Sequence, residues 1–191
     1  MRISALTFIR DGVRLQYPFV ESIRSALPLV DEFIVVVGDG DDGTREQIEA
    51  MDDPKITIVD TVWNVGTPKG YVYAQQKMTG LFRCTGDWAF YLECDEVLHE
   101  QDIKGIRSLL EKAEDDSRVE AVAFNYHHFY GRPDIVAVGP AWYRQEVRII
   151  RNRDIRAIAP DGLFFVILES SRRNRYPRAV VSPAHIFHYG W

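Results

Sequence analysis

The sequence predicts an α/β fold built on a doubly wound, mostly parallel sheet flanked by helices, with extra strands in its second half. Three observations carry that prediction. Short apolar runs at residues 3–9, 33–37, 55–60 and 88–92 have the length of strands rather than helices. Amphipathic helical patterns separate them in β-α-β-α-β-α-β-α order. The run Trp88-Ala89-Phe90-Tyr91-Leu92 does not alternate with polar residues, as expected for a strand buried on both faces of a parallel sheet.

Taken in order, the first run is rich in β-formers and ends at Arg10-Asp11-Gly12. Val20, Ile23 and Leu27 then share one helical face, with Pro18 accommodated at the start. The second strand closes on Gly38-Asp39-Gly40-Asp41-Asp42-Gly43, and Thr44 opens a short helix to about Met51. After the third strand, a loop with Asn64, Gly66, Pro68 and Gly70 leads to a helix whose Ala74, Met78 and Leu81 are spaced along one side. The fourth strand is followed by a helix from about Glu100 to Ala113, presenting Ile103, Ile106 and Leu110. Beyond residue 118 helical patterns give way to apolar runs at 119–129, 146–151, 163–168 and 186–189, expected to extend and complete the sheet. No linker, repeat or low-complexity tract appears. A single domain over 1–191 is expected, with 1–118 as one half and 119–191 as the other.

The 191 residues are 46% hydrophobic and 27% charged, an ordinary globular composition large enough for a full core. A net charge of −5 with no dominant basic stripe excludes nucleic acid as the main partner. Arg172-Arg173-Asn174-Arg175 with Arg178 is the local exception, either a solvated loop or a patch suited to a phosphate or a peripheral contact with an anionic membrane. Two cysteines, Cys84 and Cys94, imply no disulfide framework, and a cytoplasmic location is the default. No run reaches the roughly 20 apolar residues of a membrane span, and the N-terminus lacks a signal-peptide pattern.

Glu93-Cys94-Asp95-Glu96 follows the fourth strand directly, where ligands sit in open α/β sheets. Two carboxylates ~5 Å apart repel by about 3 kcal/mol at an effective dielectric near 20, so a positive group, most simply a hard divalent cation, should join them. The alternative is a set of helix-capping and solvated acids. Gly38-Asp39-Gly40-Asp41-Asp42-Gly43 satisfies G-x-G-x-x-G, yet its three aspartates would repel a pyrophosphate and it follows the second strand rather than the first. Its carboxylates suit neutral donors instead, such as a nucleobase N–H or a ribose hydroxyl.

With these motifs in hand the chain resembles family 2 glycosyltransferases of the GT-A, Rossmann-like fold. Asp42-Gly43-Thr44 is similar to the end of their D-G-[ST]-x-D-G-T region and Asn64-Val65-Gly66 to their N-x-G loop. Ala74 to Lys77 falls at their A-R-N helix, Thr85-Gly86-Asp87-Trp88 at the lead-in to the central strand, and Glu93-Cys94-Asp95-Glu96 at D-x-D-[DE]. The resemblance implies a nucleotide-diphosphate sugar donor, Mn²⁺ or Mg²⁺ as cofactor, and inverting transfer to a glycan, lipid-linked or protein acceptor. By position, Asp39 would bind the base or ribose, with Asp41 the alternative because the acidic turn is one residue short. Asn64 and Gly66 would frame the nucleotide, Glu93 would reach the ribose or sugar, and Asp95 would bind the metal. Glu93 replaces the usual first aspartate, and the family's E-D and Q-x-x-R-W signatures are missing.

The catalytic base therefore has to be sought among carboxylates of the second half. Glu146 is the first choice because the aromatics around it suit sugar stacking, and Asp161, between Pro160 and Gly162, is the second. Either could instead be structural, as a solvated strand start and a turn residue. Of five histidines, His99, His127, His128 and His185 are expected to be structural or exposed. His188 falls on a late strand resembling the one from which some GT-A enzymes supply an imidazole metal ligand, with Tyr189 and Trp191 placed to pack beside the donor. The chain stops directly after that strand, as a minimal enzyme or a piece of a longer one would. Two rivals remain: a catalytically silent nucleotide-sugar-binding or assembly module, and a sugar nucleotidyltransferase, for which Arg10-Asp11-Gly12 is too poor in glycine.

Overall fold

The structure is a computed structural model that describes residues 1–68, 70–153, 156–171 and 173–190. Eight strands form one sheet in the order β3-β2-β1-β4-β7-β6-β11-β5. They are β1 Ile3–Ile9, β2 Glu32–Gly38, β3 Ile56–Thr61, β4 Trp88–Tyr91, β5 Glu96–Leu98, β6 Ala121–His128, β7 Gln145–Arg151 and β11 Ala179–His188. The first four are mutually parallel. β7 is antiparallel to both β4 and β6, β11 runs parallel to β6, and β5 closes the edge antiparallel to β11. Strand order reverses between β1 and β4, so their carboxyl ends flank a topological switch point.

Helices α1 Phe19–Ala26, α2 Thr44–Glu49, α3 Tyr71–Leu81 and α4 Ile103–Glu114 make the crossovers. One face of the sheet buries Ile3, Phe33, Phe90 and Phe124 against Ile23 of α1 and Ile106 and Leu110 of α4. The other buries Leu6, Val36, Tyr91 and Ile150 against Leu81 of α3. Every residue of β4 is buried, the outcome its unbroken apolar run predicts. α1 follows its expected amphipathic pattern with the stripe centred on Phe19, Ser22, Ile23 and Ala26. α3 departs further: its buried side is Val72, Gln76, Lys77, Gly80 and Leu81, while Ala74 and Met78 are only partly buried. Two polar residues occupy the inward face, which is why hydrophobic spacing mislocates it.

Three further departures have physical reasons. Residues 163–168 do not extend the main sheet. β8 Ala157–Ile158, β9 Val166–Leu168 and β10 Asn174–Arg175 form a separate antiparallel sheet. Ala159, Phe165 and Ile167 of this region are buried in the apolar cluster beside α3. β11 begins well before residue 186, and its Pro183 lies where the register with β6 shifts, between Val181 and His185. Proline donates no ladder bond, so it is accommodated at such an irregularity. β5 is a strand that begins inside the acidic motif and was expected as loop.

Gly86 in the lead-in to β4 is required by packing. A Cβ there would stand 2.7 Å from the backbone nitrogen of Ser4. The glycine lets the Gly86 amide donate to Ser4 Oγ at 2.7 Å and bring β4 alongside β1. Among the described residues no helix is long and apolar enough to cross a membrane.

Candidate functional site

The chain leaves β4 at Tyr91 and folds the acidic motif into a tight turn at the switch point. The Glu96 amide donates to the Glu93 carbonyl at 3.0 Å, and the Glu93 amide to Glu96 Oε2 at 3.0 Å. α1 holds the turn from below, Ser22 Oγ donating to the Glu93 carbonyl at 3.0 Å. The three carboxylates of the turn have different environments.

Glu96 is fully buried, and the cation beside it is Arg148 of β7, equally buried. Arg148 donates through Nε and Nη2 to Glu96, through Nη2 to Glu93 Oε1 at 2.7 Å, and through Nη1 to the Leu163 carbonyl at 2.7 Å. Tyr126 donates its hydroxyl to Glu96 Oε1 at 2.7 Å. Burial raises the Glu96 pKa, but the charge and hydrogen bonds of Arg148 outweigh it and hold the carboxyl below its usual range. The positive group expected to join these acids is thus in part a guanidinium, which compensates Glu96 and partly Glu93.

Asp95 makes no such pair. Its side chain is largely buried, and burial followed by the nearby charge of Glu96 pushes its pKa up to about 7. Glu93 is driven upward by burial too, against the pull of Arg148, to about 8. Glu93, Asp95 and His188 each offer a ligand atom, all within 4.8 Å of one another. His188 Nε2 stands 3.6 Å from Asp95 Oδ2, too far for a hydrogen bond. Gly190 leaves the space open, for a Cβ there would stand 2.7 Å from His188 Nε2 and overlap Asp95 Oδ2. Two carboxylates disfavoured as anions, one imidazole and a gap kept free of side chain suit a divalent cation such as Mn²⁺ or Mg²⁺.

Beside this cluster opens a cavity of about 590 Å³, lined by Glu93, Cys94 and Asp95 on one side and Arg10 and Asp161 on others. Phe8, Tyr17, Trp63, Tyr73 and Tyr91 give it aromatic walls. A second cavity of about 340 Å³ lies at the end of β2, lined by Asp39, Asp42, Thr44 and Asp60. The three aspartates of the glycine-rich turn are sorted by their bonds. Asp39 accepts from the Trp63 amide at 3.0 Å, and this bond, with Arg10 nearby, holds its carboxyl below the usual range. Asp41 is 91% exposed, pairs with Arg14 at 2.7 Å and lines neither cavity. Asp42 accepts from the Thr44 amide and hydroxyl, a local cap for α2. Asn64 and Gly66 are exposed in the loop after β3, bonded to each other at 3.2 Å, and line neither cavity.

Glu146 is half-buried on β7, its pKa raised by burial, and it accepts from the adjacent Val147 amide at 2.7 Å while lining neither cavity. Asp161 lines the larger cavity and also makes the turn its neighbours suggest, Oδ1 accepting from the amides of Leu163 at 2.8 Å and Phe164 at 3.3 Å. Lys77 of α3 secures that turn from within. It is fully buried, its Nζ 3.9 Å from the ring centres of Tyr91 and Phe165, and it donates to the carbonyls of Phe164 at 3.2 Å and Gly162 at 3.4 Å. Tyr189 stacks on Phe129 at 4.7 Å rather than lining the cavity. Trp191 and Arg172 lie outside the described residues.

A family model described as Glycosyl transferase family 2 matches residues 17–168. The chain belongs to glycosyl transferase family 2. Solved structures of S. aureus TarS share its fold. One aligns with 100% of this chain and 37% of TarS at 14% identity and a TM-score of 0.64. The 1–349 portion of TarS in complex with UDP-GlcNAc aligns with 100% of this chain and 59% of its own length, at 13% identity and a TM-score of 0.61. The same portion with UDP gives 14% identity, 61% of its length and a TM-score of 0.59. The chain thus spans less than two thirds of these TarS chains. Its mostly parallel, helix-flanked sheet is that of a GT-A glycosyltransferase. No curated protein sequence matches it significantly.

Within this family 2 chain several residues of the site escape sequence reading. Arg148 lies between the apolar Val147 and Ile149, a pattern that gives no sign of its burial or of its partners. Lys77 lies on the inward face of α3, a face that the expected stripe of Ala74, Met78 and Leu81 does not locate. His128 and Gly190 owe their places to β11 pairing with β6 and β5.

Proposed function

We propose that this chain is a metal-dependent glycosyltransferase that moves a sugar from a nucleoside-diphosphate donor, UDP-linked as in the TarS complexes, to an acceptor hydroxyl with inversion. The observation that carries the proposal is the cluster of Glu93, Asp95 and His188 at the switch point, opening on an aromatic-walled cavity. Asp95 and His188 hold the cation, and Glu93, fixed by Arg148, faces the ribose or sugar. When bound, the cation offsets the charge that develops on the departing nucleoside diphosphate. Asp39, the cavity-lining acid of its turn outside the α2 cap, receives the base or ribose. Asn64 and Gly66, in the loop after β3, frame the nucleotide.

The acceptor oxygen attacks the anomeric carbon as the bond from that carbon to the phosphate oxygen breaks. Its proton passes to a carboxylate, and Asp161 is favoured over Glu146 because it lines the cavity and keeps Oδ2 free of the turn's hydrogen bonds. Aromatic walls suit the apolar faces of a sugar ring. The acceptor is a glycan, a lipid-linked glycan or a protein.

Calorimetric titration of UDP, GDP, CMP and dTDP with Mn²⁺ and then EDTA tests the site. UDP binding that needs Mn²⁺, and that Asp95→Asn weakens at least about 10-fold, is the expected result. Unchanged affinity in the variant would overturn the assignment. Slow release of UDP from UDP-sugars should accompany binding, and Mn²⁺-dependent binding with no turnover at all would make the chain a binding module.

A further inference from the structure

His188 can serve a cation only through a bare ring nitrogen, and the structure contains a device that leaves Nε2 bare. β6 and β11 pair with His128 and His188 as register partners. The Nδ1 atoms of the two rings are 2.9 Å apart, and His128 Nε2 lies 2.7 Å from the Tyr143 carbonyl oxygen. A carbonyl oxygen only accepts, so His128 Nε2 carries a proton. His128 is 3% exposed, enclosed by Tyr126, Trp142, Tyr143 and His188, and burial keeps such an imidazole neutral. A neutral ring has one N–H, so His128 Nδ1 is an acceptor. The proton between the rings therefore belongs to His188 Nδ1, and the His188 Nε2 lone pair faces Asp95 Oδ2 at 3.6 Å. A lone pair turned toward a carboxylate is unfavourable unless a proton or a metal cation lies between them.

Resting on the reading of His188 as a metal ligand, we propose that His128 is a positioning residue that, anchored by the Tyr143 carbonyl, fixes the Nδ1–H tautomer of His188 and presents its Nε2 to the cation. Outer partners of ligating imidazoles act in this way and tune affinity 10–100-fold. The arrangement also ties the segment entering β7 to the metal site, since Tyr143 Oη lies 3.5 Å from Arg148 Nη2 while its carbonyl holds His128.

Two readouts test the proposal on the intact chain. Long-range ¹H–¹⁵N correlation of the metal-free protein should show His188 protonated on Nδ1, and His128→Phe should shift it toward a mixture of tautomers. Direct Mn²⁺ titration should show affinity falling roughly 10–100-fold in His128→Phe. His128→Asn, whose Oδ1 lies close to the position of the lost Nδ1, should retain both the tautomer and most of the affinity, which a purely structural role of the ring would not give. An Nε2–H tautomer in the unaltered protein overturns the proposal. So does unchanged Mn²⁺ affinity in His128→Phe alongside a loss in His188→Ala. Unchanged affinity in His188→Ala overturns the metal reading and the proposal with it.

Discussion

Arg148 and Glu96 are both fully buried and satisfied by each other, by Tyr126, by Glu93 and by the Leu163 carbonyl. Removing one partner of such a pair strands the other charge in a low-dielectric interior. Arg148→Met should therefore destabilise the fold by about 3–5 kcal/mol, measured by urea denaturation. A change within 1 kcal/mol would show that Glu96 accepts a proton at little cost. Gly190→Ala should behave oppositely. Its Cβ would meet the movable ends of Asp95 and His188, so the fold absorbs it while the cation's place is filled. Mn²⁺ affinity should fall about 10-fold or more with little change in melting temperature. Neither residue announces this role in sequence, because each is defined by a neighbour 50 or more positions away.

At the scale of elements, the approach of β4 to β1 depends on Gly86, whose missing side chain admits the Ser4 backbone. Backbone cannot yield as a side chain end can. Gly86→Ala should cost about 1–3 kcal/mol, as overpacking does, and an unchanged denaturation midpoint would argue against the close approach. The lead-in motif was legible as a family resemblance, yet its glycine answers to packing. β11 shows the opposite limit. Ser182-Pro183 in its middle reads as a break, and pairing with β6 on both sides of a register shift carries the strand through it. Because β11 carries His188 between His128 and Glu96, an element poorly legible in sequence organises the candidate metal site.

The whole molecule should record the uncompensated acids of the switch point in its pH dependence. Asp95 and Glu93 bind protons more tightly in the folded chain, with pKa values of about 7 and about 8 against ordinary values of 3.8 and 4.5. Where the native state holds more protons, stability falls as pH rises. In EDTA the melting temperature should decline from about pH 5 to pH 8 through these groups, and Asp95→Asn should shrink the decline. Saturating Mn²⁺ should raise the curve above pH 7, by about 2.7 kcal/mol at a hundredfold excess over Kd. Glu120 works on the acid side. Hydrogen bonds from Arg175 hold it at about 2, so its contribution is present above about pH 4.5 and lost as pH falls toward 2. A melting temperature in EDTA that rises steadily from pH 5 to 8 would contradict the environment assigned to Asp95 and Glu93.

The order of strands and helices through the fourth strand, the full burial of that strand and the acidic motif at its carboxyl end were determined by the sequence alone, through periodicity and local turn chemistry. So was the resemblance to the family, whose motifs are short segments in a fixed order along the first half of the chain. The tertiary structure decided which acid is free. Glu96 is neutralised by Arg148, Asp42 caps α2, Asp41 faces solvent, and Asp95 is left beside His188. Those differences arise from burial and from partners brought in by β6, β7 and β11. A carboxylate's charge state depends on the dielectric and on what lies within a few ångströms, and no spacing along the chain records either.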